Sequence, residues 1–134
     1  MLFTQKSEVD IHEMSPLALA FVGDAVLELL VRARLVGTTR LQPNRLHTVA
    51  THYVSAHAQN LELDIIEPML TDAEAAVLRR GKNASKATVA KHATVQEYRA
   101  STGFECLLGW LYLQGQNDRI EELFNALWEG YKPE

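Results

Sequence analysis

The sequence predicts an all-α fold, because apolar residues recur at helical spacing, helix start and stop signals flank those segments, and no segment shows the strict alternation of a strand. We expect roughly six or seven helices. The chain has 134 residues, close to the commonest size of a domain, and neither a repeat nor a linker divides it. Residues 1–134 are therefore predicted to form a single domain.

The first helix is predicted to begin at Ser15 and Pro16, since Ser is a favoured N-cap and Pro fits the first helical position. It should extend to about Val36, where Gly37 supplies a stop signal. The segment is apolar almost all round, which is typical of a helix in contact with protein on several sides. We therefore expect this helix to be buried on most of its surface.

The next segment predicts one helix followed by a shorter apolar stretch. Pro43 and Asn44 open the helix, which is expected to run to about Ala58. The apolar stretch covers Leu61–Ile66 and ends before Pro68, because the residue that precedes a proline disfavours the helical conformation.

A capping-box pattern marks the start of the following helix. Thr71 and Glu74 have the required spacing, and the helix is expected to end near Gly81. Residues 82–93 are small or polar and have no clear period, so this segment is predicted to be a loop.

A second capping box predicts a longer helix near the end of the chain. Thr94 and Glu97 form the box, the helix should run to about Leu113, and Gly115 should end it. This segment is rich in large apolar residues, so we expect it to lie in the core.

The last predicted helix is amphipathic. Asn117 or Asp118 is expected to cap it. Its apolar face consists of Ile120, Leu123, Phe124 and Leu127.

Two carboxylates, Asp24 and Glu105, lie in the most apolar stretches of the chain, where burying an unpaired charge is costly. Neither has an Arg or Lys three or four residues away. Gly23, Gly103 and Gly109 would let the two helices approach closely, and the two acids would then converge. Converging carboxylates need a cation or a shared proton, and oxygen ligands favour Mg²⁺ or Mn²⁺ over zinc. The alternative is that each acid pairs with a nearby Arg, as Glu28 can with Arg32.

The charge of the chain is unevenly distributed. The net charge is −4, yet the segment from residue 79 to residue 99 carries six basic residues and one acidic residue, so it is +5 while the remainder is −9. A basic patch on an acidic body indicates a polyanionic partner, although a solvated loop with incidental lysines stays open. The basic residues are Arg79, Arg80, Lys82, Lys86, Lys91 and Arg99.

Several other classes of site are not supported by the sequence. The single Cys106 excludes an intrachain disulfide, fits a reducing compartment and is predicted to be a small buried filler. The five histidines form no pair four residues apart on a helix, which argues against zinc. There is no hydrolase triad signature or phosphate-binding glycine loop. No secretory signal or membrane span is recognised, so a cytoplasmic location with no membrane partner is expected.

Two motifs carry a resemblance to a known family. The stretch FVGDAVLEL, from Phe21 to Leu29, resembles the signature helix of the ribonuclease III catalytic domain. The stretch FECLLGWLY, from Phe104 to Tyr112, resembles the second acidic motif of that family. The stretch VLRRGKNAS, from Val77 to Ser85, resembles the short branch, the Mini-ribonucleases III, which has no double-stranded-RNA-binding domain.

The resemblance implies a homodimeric endoribonuclease that uses Mg²⁺, with Mn²⁺ as a substitute, to cleave double-stranded RNA into 5′-phosphate and 3′-hydroxyl ends. Asp24 and Glu105 would be the catalytic metal ligands. The family also suggests precursor large-subunit (23S) ribosomal RNA as substrate and leaves open whether a ribosomal protein presents it. The residues expected to contact RNA are Arg79, Arg80, Lys82, Asn83, Lys86 and Lys91.

The chain departs from the longer members of the family at three positions. Where those members carry an acidic residue, this chain has Leu17, Ala20 and Thr102. These departures leave the number of metal ions open. They also motivate the alternative of a non-catalytic dimer that binds double-stranded RNA on the same fold. A third alternative is a helical scaffold in which Asp24 and Glu105 form structural pairs.

Overall fold

The computed structural model describes residues 7–84 and 93–133 of the chain. Within these residues there are six α-helices, two short 3₁₀ turns and no strand, so the predicted all-α fold is confirmed. The helices are α1 (Pro16–Thr38), α2 (Pro43–Val54), α3 (Ala56–Ile66), α4 (Asp72–Ala84), α5 (Val95–Leu113) and α6 (Asn117–Gly130). The 3₁₀ turns are Ile11–Glu13 and Glu67–Met69.

Helix α5 lies at the centre of the fold and packs against α1, α3, α4 and α6. Its apolar side chains point in several directions, so one partner helix could not cover them all. Neighbours on several sides bury Phe104, Leu107, Leu108 and Leu111 almost completely. The predicted start at the Thr94 capping box and the stop at Gly115, which has φ 73°, are confirmed.

Two glycines allow α1 and α5 to cross in direct backbone contact. A Cβ atom at Gly23 would collide with the carbonyl of Glu105, and one at Gly109 would collide with the carbonyl of Leu19. The expectation that Gly103 belongs to the same crossing is wrong. Gly103 faces α4, where a Cβ would lie 2.7 Å from the Cγ of Lys82.

Helix α1 is buried on one face only, so the prediction of burial on most sides is wrong for a single chain. The buried face packs on α5 and includes Leu27 and Val31. The opposite side exposes large apolar side chains, and Phe21 is 83% exposed. The exposed apolar residues of this helix are Leu17, Phe21, Leu29 and Val36.

The predicted helix from Pro43 to about Ala58 is interrupted, which is the largest error in the assignment of elements. Helix α2 ends at Val54, because Ser55 has extended backbone angles, φ −63° and ψ 157°. The Ser55 hydroxyl accepts a hydrogen bond from the N–H of Ala58 at 3.1 Å and thereby caps α3. A local serine cap can replace helix continuation, and here the new direction lets α3 pack on α5.

Helices α4 and α6 are joined by a partly buried ion pair. The Thr71–Glu74 capping box is formed as predicted, and α4 runs to Ala84, past the expected end at Gly81. The guanidinium of Arg119 donates to both carboxylate oxygens of Glu74, at 2.8 and 2.9 Å. This contact anchors the first turn of α6, which has Gln116 in the N-cap position without a side-chain bond.

The predicted cap of α6 at Asn117 or Asp118 is therefore wrong. Both residues lie inside the first turn of the helix. The predicted apolar face is confirmed, since all four of its residues are buried: Ile120, Leu123, Phe124 and Leu127.

Candidate metal site and RNA-binding surface

The crossing of α1 and α5 brings the two predicted acids together. Gly23 touches the backbone of Glu105, so the side chain of the next residue, Asp24, emerges beside the Glu105 carboxyl. Asp24 acts on the Glu105 carboxyl through its negative charge and through its side chain, and both effects raise the pKa of Glu105. The convergence expected from the sequence is thus present in the fold.

Glu105 has a perturbed carboxyl group. Burial, opposed by a hydrogen bond from Gln59, raises its pKa to about 7, and the neighbouring Asp24 and Glu28 act in the same direction as burial. Near neutral pH, this carboxyl is therefore balanced between its charged and neutral forms. A bound cation would favour the charged form, because it offsets both the desolvation and the repulsion between carboxylates.

Asp24 differs from Glu105 because it is exposed to solvent. The sequence argument that burial makes both acids costly therefore holds for Glu105 and is wrong for Asp24 in a single chain. Asp24 lies at the rim of the crossing, on the side of α1 that also carries the exposed Phe21. The pair thus combines a partly buried carboxyl with an accessible one.

The local pairing of acids with arginines is seen at only one of the predicted positions. Arg32 donates to Glu28 at 3.0 Å, as the four-residue spacing indicates. Over residues 7–84 and 93–133, no Lys, Arg or His forms a salt bridge with Asp24 or Glu105. The scaffold hypothesis, in which both acids form structural pairs, therefore finds no support in this part of the chain.

Gln59 is a site residue that the sequence did not indicate. Its side-chain amide is buried and donates to Oε2 of Glu105 at 3.0 Å. Gln59 falls between the predicted end of the second helix, at about Ala58, and the apolar stretch that begins at Leu61, and a polar residue at that place carries no signal for such a role. The contact depends on the interruption after Val54, which the periodicity of the sequence did not reveal.

The donor set fits a hard divalent cation with an incomplete protein shell. The described residues contain no cluster of three or more His, Cys, Asp or Glu side chains arranged for a metal ion. Asp24 and Glu105 nevertheless supply two oxygen donors, and Mg²⁺ commonly binds one or two carboxylates while keeping several waters. Oxygen-only donors also favour Mg²⁺ or Mn²⁺ over zinc.

Four of the predicted RNA-contacting residues lie in the second half of α4. Arg79 and Arg80 are exposed, whereas Lys82 is partly buried and its ammonium lies 3.5 Å from Glu67. The Oδ1 atom of Asn83 accepts a hydrogen bond from Arg99 at 3.1 Å. Two further predicted residues, Lys86 and Lys91, lie outside the described residues.

A cleft of about 400 Å³ brings some of these residues together. Arg79, Lys82 and Asn83 line it, together with the acids Asp64 and Glu67, so its charge is mixed. Arg80 does not line this cleft. A polyanion would therefore meet the exposed guanidinium groups more readily than the floor of the cleft.

Cys106 follows Glu105 and is buried, as predicted. Burial raises the pKa of its thiol to about 11, so the thiolate is scarce near neutral pH. Among the helices of the described residues, none has the length and apolar character needed to cross a membrane.

Comparison with known proteins gives one consistent family. The model of the Ribonuclease III domain matches residues 17–116. The Mini-ribonuclease 3 of Enterococcus faecalis is 47% identical over 118 residues, which cover 87% of this chain and 89% of that protein. The Mini-ribonuclease 3 of Brevibacillus brevis is 43% identical over 89% of this chain and 90% of its own length.

A solved structure supports the same fold. The crystal structure of a protein from Fusobacterium nucleatum aligns with a TM-score of 0.82 at 30% sequence identity. The alignment covers 90% of this chain and 97% of that one.

Proposed function

This chain belongs to the ribonuclease III family and is an endoribonuclease, and from that premise we propose that it hydrolyses double-stranded RNA with Mg²⁺ at the Asp24–Glu105 pair. Mn²⁺ is proposed to substitute. The observation that carries this assignment is the convergence of the two carboxyls where α1 crosses α5, with the pKa of Glu105 raised to about 7. The products would carry 5′-phosphate and 3′-hydroxyl ends.

Each residue of the pair has a distinct task in this proposal. Asp24 would be the solvent-accessible ligand of the cation, and Glu105 would be the partly buried one. The chemistry that Mg²⁺ would supply there is an activated water and compensation of the negative charge that develops on the scissile phosphate. The other family positions, occupied by Leu17, Ala20 and Thr102, offer no carboxylate, so the protein atoms support one ion per site.

A homodimer would complete the enzyme. The exposed apolar residues of α1 form a surface that a second copy can cover through a two-fold, self-complementary contact. Asp24 lies on the same helix, so the two sites of such a dimer would be held in a fixed relation. One site could then act on each strand of the duplex.

The end of α4 is the proposed RNA-binding surface. Duplex RNA is recognised mainly through its shape, phosphates and 2′-hydroxyls, and exposed cations suit that task. Arg79 and Arg80 would contact phosphates, with Lys82 and Asn83 at the edge of the surface. Lys86 and Lys91 are proposed to contact RNA as well.

The natural substrate is proposed from the family alone. The enzyme is proposed to trim the ends of precursor large-subunit (23S) ribosomal RNA. A ribosomal protein that presents this RNA would be a further partner. The proposed substrate is consistent with the cytoplasmic location and with the single RNA-cleaving domain that the sequence predicts.

The test is a cleavage assay on long duplex RNA with Mg²⁺ or EDTA. Wild type, Asp24→Asn and Glu105→Gln are compared, with Glu129→Gln as a control because Glu129 is exposed on α6. We expect cleavage by wild type and by the control in Mg²⁺ only. Each site variant should lose about a hundred- to a thousandfold in rate, since removal of a catalytic charge stabiliser costs on that order.

The same assay distinguishes the alternative function. A wild-type protein that retards duplex RNA in a gel shift but does not cleave it in Mg²⁺ or Mn²⁺ would support the non-catalytic dimer. Unaltered cleavage by Asp24→Asn would remove Asp24 from the site.

A further inference from the structure

Gln59 is a buried amide that uses both of its N–H hydrogens at the candidate site. The residue is 1% exposed. Its Nε2 atom donates to Oε2 of Glu105 at 3.0 Å and to the carbonyl oxygen of Val54 at 2.9 Å. The side chain therefore connects the end of α2 to the carboxyl group on α5.

The interruption between α2 and α3 makes this connection available. In a continuous helix, the carbonyl of Val54 would accept the N–H of Ala58. Here that N–H donates to the hydroxyl of Ser55 instead, and the carbonyl is left to the Gln59 amide. Because Ser55 caps α3, the carbonyl oxygen of Val54 can accept a hydrogen bond from the Gln59 amide.

Only one orientation of the Gln59 amide suits its surroundings. With Nε2 toward Val54 and Glu105, each acceptor receives a donor. A flip would bring Oε1 against a carbonyl and a carboxylate, which are both acceptors. The buried Oε1 atom has no hydrogen-bond partner within the described residues, so those two bonds are what fix the observed orientation.

We propose that Gln59 is the positioning residue of the metal site, holding Oε2 of Glu105 so that the rest of the carboxylate faces the cation and Asp24. This inference rests on the proposed function, because it takes Glu105 to be a metal ligand. Hydrogen bonds from neighbouring groups commonly orient such ligands, and their loss reduces metal affinity about 10- to 100-fold. Gln59 itself supplies no ligand atom to the cation.

The test measures metal binding directly, in the absence of RNA. Mn²⁺ affinity is determined by titration calorimetry on the full chain for wild type, Gln59→Met and Gln59→Asn. Gln59→Met keeps the length of the side chain and removes both donors. Gln59→Asn keeps the amide but shortens the side chain by one methylene. It is a second, foldable variant in which the amide is withdrawn from Glu105.

Leu63→Ala is the matched control, since Leu63 is a buried residue of the same helix whose truncation would lower stability without removing the amide. We expect both Gln59 variants to bind Mn²⁺ at least about tenfold more weakly, with Gln59→Met the weaker. The Mg²⁺ concentration for half-maximal cleavage should rise in parallel. Leu63→Ala should lower the melting temperature and leave Mn²⁺ affinity unchanged.

Three results would overturn the inference, and they can be told apart. Equal Mn²⁺ affinity in wild type and Gln59→Met removes the positioning role while leaving the proposed function intact. If Leu63→Ala loses Mn²⁺ affinity in proportion to its lower melting temperature, reduced stability alone weakens metal binding. The effect of the Gln59 variants is then purely structural. A wild type that neither binds Mn²⁺ nor cleaves RNA defeats the proposed function, and the inference with it.

Discussion

Glu62 is a carboxylic acid that the fold buries without compensation. It is 0% exposed, and neither carboxyl oxygen has a hydrogen-bond partner in the part of the chain that the structure describes. Burial raises its pKa from 4.5 to about 8. The native protein therefore keeps this proton over a pH range in which the unfolded chain releases it.

The free energy of unfolding should consequently fall as pH rises from about 4.5 to about 8, and the loss should stop above that range. The contribution of Glu62 is at most about 1.4 kcal/mol per pH unit. Glu62→Gln removes the titration, so the variant should become more stable relative to wild type with increasing pH. Urea unfolding at pH 5, 6.5 and 8 measures this difference.

Glu121→Gln is the control, because Glu121 is exposed on α6 and its replacement should leave the pH dependence as in wild type. Glu105 also titrates in this range, but it is present in every variant and cancels in the comparison. A difference between wild type and Glu62→Gln that stays constant with pH would contradict a protonated Glu62.

The sequence identified some of these residues and missed others for a physical reason. Asp24 and Glu105 stand out because charged residues are rare in apolar helical segments. Gln59 and Glu62 lie in a segment of mixed polarity, where polar residues are normally assigned to the exposed face. Their burial follows from the change of direction at Ser55, which moves that face of α3 toward α5.

Helix ends were predicted best where the signal is local. The capping boxes at Thr71 and Thr94 depend on residues three apart, and both are formed. The N-terminus of α6 instead depends on Arg119 binding Glu74, a contact between residues 45 positions apart. The sequence pattern of one helix does not contain such a contact, and the predicted cap was wrong there.

The close approach of α1 and α5 gives a prediction at the scale of elements. Gly23→Ala places a Cβ against the carbonyl of Glu105, so the two helices must separate. We expect a loss of stability of about 1–3 kcal/mol, as for other overpacked sites, together with reduced cleavage because Asp24 and Glu105 move apart. Thermal denaturation and the cleavage assay measure the two effects.

Gly37→Ala is the matched control in the same helix. No atom lies within 4 Å of the added Cβ, and the backbone there is helical. This variant should be neutral or more stable by up to about 1 kcal/mol, since alanine loses less backbone entropy than glycine in a helix. Equal effects of Gly23→Ala and Gly37→Ala on stability and cleavage would show that separation of α1 from α5 is not their cause.

The charge of the whole molecule predicts how RNA binding depends on salt. An acidic chain of net charge −4 repels a polyanion except at its basic patch. The double variant Arg79→Gln/Arg80→Gln should bind duplex RNA more weakly. The slope of log affinity against log salt should also become shallower, by about one unit for each phosphate that the variant no longer neutralises.

Arg40→Gln/Arg45→Gln is the control for this change in net charge. Both of these arginines are exposed, and they lie near the start of α2, away from the patch. Filter binding at several salt concentrations should give the wild-type slope for this pair. A wild-type slope for Arg79→Gln/Arg80→Gln as well would place the RNA on another surface.

Assembly is the last property that belongs to the molecule as a whole. Phe21 is 83% exposed on α1, and a large aromatic side chain on that surface is expected to be covered by the second copy. Light scattering should give wild type about twice the 15.0 kDa mass of one chain. Phe21→Asp should be a folded monomer with little cleavage activity, because a charge at the contact opposes its burial.

Val95→Asp tests whether the position of the charge matters. Val95 is also exposed, at 51%, but it begins α5 and lies outside the apolar face of α1. This variant should remain dimeric, and the comparison is made on mass alone because Val95 lines the cleft that also holds Arg79 and Lys82. If Phe21→Asp is dimeric too, the exposed face of α1 is not the interface, and the two candidate sites are arranged by another surface.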